Sequence, residues 1–161
     1  MSMQIASAQA ADGGIRAVYG KLAKALGGVS WDILAIPMRA AAFSVFFRSG
    51  RVKIADWGST VDLFRSEYRV PVLPPALAAS LATTVELGCS TLLLLGLATR
   101  FAALAVLGMI AIIQVFVYPS AWPDHIQWFA FLFPLLLRGA GKYSLDGVIA
   151  PGNRKNDSVA N

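Results

Sequence analysis

The sequence is poor in the residue types that most enzyme centres use. Its 161 residues include one cysteine, Cys89, and one histidine, His125. A lone cysteine excludes an internal disulfide. A lone histidine binds zinc or haem iron only together with other residue types or another chain. The sequence also has no C-x-x-C pair and no glycine-rich phosphate loop, so dithiol, zinc and nucleotide chemistry confined to this chain are not predicted.

Charged residues are also scarce, at 14% against 57% hydrophobic residues, and the mean hydropathy is +0.61. A soluble domain usually has about 25% charged residues, so we expect lipid to cover much of this chain. The net charge is +5, but the basic residues fall in tails and loops. This distribution favours anionic lipid headgroups as the counterpart. Nucleic-acid binding is not predicted, because no basic stripe is interleaved with aromatic residues.

Apolar runs of about the length of a membrane-spanning helix predict four transmembrane helices. They cover residues 29–47, 76–98, 101–117 and 126–137, of which the last is short. Two amphipathic helices are predicted beside them. One is basic and follows residue 15, and the other lies within residues 57–68, where Ser59 and Asp62 have the spacing of a capping box. The predicted fold class is therefore all-α, a four-helix transmembrane bundle with short interfacial amphipathic helices.

The predicted organisation has three parts. Residues 1–28 form a cytoplasmic tail with the basic helix, residues 29–147 form the membrane domain, and residues 148–161 form a disordered tail. Residues 1–14 are also predicted to be disordered, and they lack the apolar core of a cleavable signal peptide. Four spans place both termini on one side of the membrane. That side has more lysine and arginine outside the spans, which predicts cytoplasmic termini.

The most informative stretch is 75–100, because it contains a single carboxylate, Glu86, near the middle of an apolar span. An ionised side chain at that depth costs several kcal/mol unless it is paired or neutralised. Arg39 is the one basic residue of the first predicted span and is the candidate partner. At about 100° per residue, Thr83, Glu86 and Ser90 fall on one arc of the helix, which we expect to face protein rather than lipid.

Five short segments have the order and spacing of a known membrane family. They are Ile36-Pro-Met-Arg39, Phe47-Arg-Ser-Gly-Arg-Val-Lys-Ile54, Val85-Glu-Leu-Gly88, Leu95-Gly-Leu-Ala-Thr-Arg-Phe101 and Gly139-Ala-Gly-Lys-Tyr-Ser-Leu-Asp146. Over residues 33–147 the chain resembles the DoxX family of small four-helix membrane proteins. The family includes the quinone-reducing subunit of a thiosulfate:quinone oxidoreductase, and inner-membrane proteins linked to thiol, oxidative or metal stress.

The resemblance implies a multi-pass protein of the bacterial cytoplasmic membrane that takes part in an oxidoreductase system. Its implied partners are the lipid bilayer, a redox subunit that oxidises a sulfur compound or thiol, and further copies of itself in a homo-oligomer. The implied cofactor is membrane quinone. Two non-enzymatic alternatives stay open. One is an anchor or adaptor that recruits a redox or metal-stress partner, and the other is a transporter that moves a small solute past Arg39.

Two interpretations of the polar residues also stay open. In the structural one, Arg39 and Glu86 form a buried ion pair that fixes helix packing. In the functional one, a pocket binds a quinone headgroup. Its predicted catalytic residues are Glu86, Arg39 and His125, and its predicted cofactor-binding residues are Arg39, Gln114, Trp122 and Trp128.

Overall fold

The computed structural model describes residues 16–149, and every regular element in that range is helical. The predicted disorder of residues 1–14 lies outside the described residues, as does that of the C-terminal tail (148–161) except for residues 148 and 149, which are helical. Helix α1 covers residues 16–27 and belongs to a compact unit that ends at Trp31. This confirms the predicted basic helix, whose apolar residues Val18, Leu22 and Leu26 are exposed.

The second unit begins at Asp32 and contains the predicted helix bundle. Its helices are α2 (Trp31–Ala55), α3 (Trp57–Leu63), α4 (Pro75–Leu95), α5 (Thr99–Val117), α6 (Trp122–Arg138) and α7 (Leu145–Ile149). Among the described residues, α2, α4 and α5 are long and apolar enough to cross a membrane. Helix α6 has 17 residues and is the short fourth helix of the prediction. The all-α bundle is thus confirmed.

Helix α2 packs along α4 in the opposite direction. Its buried residues recur at helical spacing and are Ala35, Arg39, Ala42, Phe46 and Gly50. The Leu87 side chain packs directly against Gly50, where a Cβ atom would lie 2.7 Å from Leu87 Cγ. The helix continues through Pro37 and ends at Ala55, eight residues beyond the predicted end at residue 47. The apolar run stops at residue 47, but the residues that follow it are compatible with a helix, so the helix continues.

The bundle has two ends that carry different groups. At one, the start of α2 meets the α4–α5 turn and the link between α6 and α7, where Asp32 Oδ1 accepts a 2.6 Å hydrogen bond from the Lys142 amide. We call this the Arg39 end. At the other, α3 packs beside the start of α4 and near the turn between α5 and α6. We call this the loop end.

Helix α3 starts differently from the prediction. Its N-cap is Asp56, whose carboxylate accepts hydrogen bonds from the Ser59 amide at 3.0 Å and the Ser59 hydroxyl at 2.7 Å. Asp62 instead pairs with Arg65. The predicted capping box is therefore wrong, because the helix begins before Ser59 and the carboxylate nearer its first turn takes the free amide.

The amphipathic pattern of the loop is confirmed, and its apolar side has a protein partner. Phe64, 5% exposed, packs against Ala78 and Ala79 of α4. Val61 and Tyr68 border the same cluster. The small side chains at the start of α4 let the aromatic ring approach closely, so the loop helix is held against the bundle.

Within residues 16–149, three π-helical turns interrupt the helices, and each contains a polar side chain that is discussed below. They are Phe64–Tyr68 after α3, Val85–Cys89 within α4 and Ile113–Val117 at the end of α5. The first holds Tyr68, the second Glu86 and the third Gln114. A π-helical turn shifts the register of a helix locally and is frequent at functional sites.

Candidate functional site

Glu86 is buried at 4% exposure, and its partner is Lys53 rather than Arg39. Lys53 Nζ lies 2.7 Å from Oε1 and 2.8 Å from Oε2 of Glu86. Ser49 donates a third hydrogen bond to Oε1 at 3.1 Å. The carboxylate therefore has a cation and a hydroxyl as partners, which is what a buried charge requires.

The predicted Arg39–Glu86 pair is wrong because of the true length of α2. Lys53 falls beyond the predicted first span, yet it lies on the same helix face as Phe46 and Gly50, one turn further along. Arg39 lies 14 residues before Lys53, about 21 Å along the helix axis. The helical spacing of the buried residues of α2 predicts Lys53 as the next residue on that face, if the pattern is continued past the apolar run.

Arg39 binds backbone carbonyls at the other end of the bundle. Its Nε donates to Leu93 O at 2.9 Å and its Nη2 to Leu94 O at 2.5 Å. Its Nη1 donates to Tyr143 O at 2.7 Å and to Ala140 O at 3.4 Å. Carbonyls in the last turn of a helix lack intrahelical partners. Arg39 therefore caps the C-terminus of α4 and links it to the segment that follows α6. Four of the five N–H groups of a guanidinium are used in this way.

The predicted polar arc of α4 does face protein. Thr83, Glu86 and Ser90 are at most 6% exposed. The hydroxyl of Thr83 donates to Ala79 O, and that of Ser90 donates to the backbone of Glu86. Both hydroxyls are therefore occupied by their own helix, and Glu86 is the group of this arc that reaches another element.

His125 and Gln114, predicted to line one pocket, form a hydrogen-bonded pair at the loop end. His125 is 3% exposed, and its Nδ1 lies 2.5 Å from Gln114 Oε1. Gln114 Nε2 donates to Pro119 O at 2.7 Å, which fixes the orientation of the amide. Because Oε1 can only accept, the proton of a neutral His125 is on Nδ1.

The two tryptophans that were predicted to bind the cofactor, Trp122 and Trp128, lie in different environments. The Trp128 ring lies 5.2 Å from the His125 ring and packs edge-on against Phe46 at 5.4 Å. Trp122 is 57% exposed and has the setting of a membrane-interface aromatic residue. The structure thus brings together Gln114, His125 and Trp128, while Arg39 lies at the opposite end of the bundle.

Two tyrosines that were not among the predicted site residues, Tyr68 and Tyr118, also lie at the loop end. The Tyr118 hydroxyl donates to the Glu67 carboxylate, and this hydrogen bond raises the pKa of Tyr118 above its ordinary value. Tyr68 packs edge-on against Tyr118, with ring centroids 5.5 Å apart. Burial raises the pKa of Tyr68, and the charges of Glu67 and Glu86 add to this effect.

The described residues contain no group of three or more His, Cys, Asp or Glu side chains placed to hold a metal ion. Cys89 is a free thiol at 8% exposure. A single buried thiol needs a second one from another molecule for disulfide chemistry. The polar groups suited to chemistry in this part of the chain are the carboxylate of Glu86 and the imidazole of His125.

A family model for DoxX matches residues 34–119, more than half of the chain. The chain belongs to the DoxX family. No curated protein and no solved structure matches it. The DoxX segment runs from the first turn of α2 to the start of the α5–α6 turn, so it includes Arg39, Lys53, Glu86 and Gln114. His125 lies six residues beyond it.

Proposed function

We propose that this DoxX protein is the quinone-reactive membrane component of an electron-transfer system, whose electron donor is oxidised on a partner subunit. One observation carries the proposal. A buried histidine at the loop end, His125, has its Nδ1 held by Gln114, while its Nε2 has no hydrogen-bond partner within residues 16–149. An oriented imidazole with one nitrogen left over is a suitable group for proton transfer.

The orientation of Gln114 defines what His125 can do. With its proton on Nδ1, neutral His125 presents a lone pair on Nε2 and can accept a proton there. The resulting imidazolium donates from both nitrogens. It can then hydrogen-bond to a quinone carbonyl oxygen through Nε2 and give up that proton as the oxygen gains electron density.

The surroundings of His125 suit a quinone headgroup as substrate. The Trp128 ring is half-buried beside the imidazole and offers a flat apolar surface next to the donor. A site with apolar walls and one or two placed polar groups is typical of small-molecule binding. Arg39 has no part in this proposal, because its guanidinium is occupied by carbonyls at the other end.

The reaction balances with a two-electron donor. A quinone gains two electrons and two protons, and each carbonyl oxygen becomes a hydroxyl. Two thiols supply two electrons when they form a disulfide and release two protons, and two thiosulfate ions supply two electrons when they join to form tetrathionate. The donor is oxidised on the partner. His125 delivers one of the two protons and is reprotonated from water, and water supplies the second proton to the other carbonyl oxygen. The proposed setting is the bacterial cytoplasmic membrane with the termini inside.

The test uses the full chain purified in mild detergent with the subunits that accompany it. Bound quinone is extracted and quantified, and reduction of a soluble quinone analogue by thiosulfate and by small thiols is followed. We expect His125→Phe to lower turnover by about 10²–10⁴-fold with the fold unchanged. The matched control is Gln127→Ala, two residues further along α6, whose amide contacts only Pro123 O among the described residues.

Two outcomes would overturn the proposal. Full turnover in His125→Phe would remove the assigned proton carrier. Absence of quinone and of turnover in the wild type, with a partner still bound, would make the protein a membrane adaptor.

A further inference from the structure

Two apolar grooves on the outside of the bundle meet at the same two residues, Phe47 and Arg51. The first has a volume of 340 Å³ and lies along α2, and the second has a volume of 690 Å³ and lies between α2 and α4. Phe43 and Val52 also border the first groove, and Leu87, Thr91 and Leu92 also border the second. Their walls are mainly aliphatic and aromatic, as expected for surfaces that contact acyl chains.

Two arginines beside these grooves have no protein partner among residues 16–149. Arg48 and Arg51 are one turn apart on α2 and both are exposed. Within residues 16–149, neither forms a hydrogen bond or an ion pair. The neighbouring cations differ, since Lys53 binds Glu86 and Arg65 binds Asp62. Two adjacent guanidinium groups without an acidic partner attract an anion, and a phosphate fits the guanidinium fork especially well.

The position along the helix suggests the source of that phosphate. Arg51 lies four residues before the end of α2, and the half-exposed Trp57 follows, as is typical of the membrane interface. From Arg51 the first groove extends back to Phe43, about 12 Å along the helix axis. The second extends along α4 from Leu87 to Leu92, away from the loop end at which α4 begins. Both grooves therefore extend from the cations toward the interior of the bilayer, and Ala55 and Ile54 border their opposite ends.

We propose that Arg48 and Arg51 bind the phosphate of one anionic phospholipid, whose two acyl chains lie in the grooves that share Phe47. The site is separate from His125 and does not depend on the proposed quinone chemistry. A lipid with a net negative headgroup is favoured over a zwitterionic one. In a zwitterionic lipid the ammonium group of the headgroup already neutralises the phosphate. The phosphate then attracts two arginines less strongly, and the second arginine lacks a partner.

The test measures lipid retention by the purified full chain. The protein is reconstituted in nanodiscs of phosphatidylcholine with a minor fraction of phosphatidylglycerol and extracted into mild detergent, and its bound lipids are identified by native mass spectrometry. We expect the wild type to retain phosphatidylglycerol. The Arg48→Gln/Arg51→Gln variant is expected to bind it about 30-fold more weakly, at roughly 1 kcal/mol for each arginine near the membrane surface.

The matched control is Arg65→Gln/Arg69→Gln, which removes the same charge from the same end of the bundle. Arg65 pairs with Asp62, and Arg69 donates to Ser66 O, so this variant is expected to retain the lipid. If the glutamine variant does not fold, Arg48→Lys/Arg51→Lys keeps both charges but removes the fork, and it is expected to show intermediate retention. Equal retention by the wild type and the variants of Arg48 and Arg51 would overturn the proposal. So would equal loss in the control, or retention of phosphatidylcholine as strong as that of phosphatidylglycerol.

Discussion

Lys53 and Glu86 form a buried ion pair between α2 and α4, with both carboxylate oxygens within 2.8 Å of the ammonium nitrogen. Their side chains are 13% and 5% exposed. Ser49 contacts both partners, since it donates to Glu86 and accepts from Lys53 at 2.9 Å. The pair therefore joins two spanning helices next to Gly50, against which the Leu87 side chain packs.

Removing one partner of this pair should be costly, because the other charge stays buried. We expect Lys53→Met to lower the free energy of unfolding by about 3–5 kcal/mol, measured in mixed micelles with increasing SDS. Lys53→Met/Glu86→Leu should recover much of that loss. The exposed pair of Asp62 and Arg65 is the control, and Arg65→Gln should change stability by about 0–1 kcal/mol. A double variant less stable than Lys53→Met would contradict the assignment.

Arg39 is predicted to act on stability and not on quinone turnover. Arg39→Lys cannot reach all the carbonyls that the guanidinium binds, and a hydrogen bond from a charged group contributes about 1.5–3 kcal/mol. We expect at least that loss in the free energy of unfolding. The turnover of the remaining folded protein should match that of the wild type. A lysine variant of normal stability with lost turnover would return Arg39 to the catalytic role that the sequence predicted.

Gly50 is predicted to be required for the close approach of α2 and α4. In Gly50→Ala the new methyl group would lie 2.7 Å from Leu87 Cγ and 3.1 Å from Glu86 Cβ. We expect a loss of about 1–3 kcal/mol from overpacking and a weakened Lys53–Glu86 contact. Gly108→Ala is the control, because a Cβ atom there meets nothing within 4 Å. Similar stabilities of the two variants in the same micelles would show that the helices are further apart.

The N-cap of α3 predicts a pH dependence at the loop end. Hydrogen bonds from the hydroxyl and then the amide of Ser59 lower the pKa of Asp56 below its ordinary value. Because the folded-state pKa is depressed, the stabilisation of α3 is fully present above the unfolded-state pKa of about 3.9. It is lost as the pH falls through the lower folded-state pKa.

The measurement for Asp56 is the NMR chemical shift of the Ser59 amide in detergent micelles, followed from neutral to acidic pH. We expect a titration with a midpoint below about 3.9, which is absent in Asp56→Asn. A midpoint at or above that value would show that the carboxylate does not cap the helix in solution.

Much of the fold follows from the sequence, because apolar runs, prolines and glycines mark the helices directly. The polar arc of α4 was also predictable, since its three members recur at helical spacing. The end of α2 was not, because a hydropathy argument stops where charges begin, whereas the helix continues to Ala55. Because the predicted helix ended at residue 47, it did not include Lys53, and Arg39 was predicted as the partner of Glu86 instead.

The candidate site was only partly predictable for a related reason. Gln114 and His125 were identified as residue types, but their pairing depends on the turn between α5 and α6. Tyr68 and Tyr118 are 50 residues apart and meet only because α3 packs against the start of α4 and near that turn. The π-helical turns that carry Tyr68, Glu86 and Gln114 also break the regular period of 3.6 residues on which helical-wheel predictions depend.

The hydrogen bond from Arg39 to Tyr143 can form only late in synthesis, because its acceptor is near the end of the chain. These residues are 104 positions apart. At about 5–20 residues per second, Arg39 of the first spanning helix is synthesised about 5–20 s before Tyr143. Throughout that interval its guanidinium lacks part of its final set of acceptors. Any truncation before residue 143 should therefore leave a charged, incompletely bonded group at the membrane, which cellular quality control can recognise.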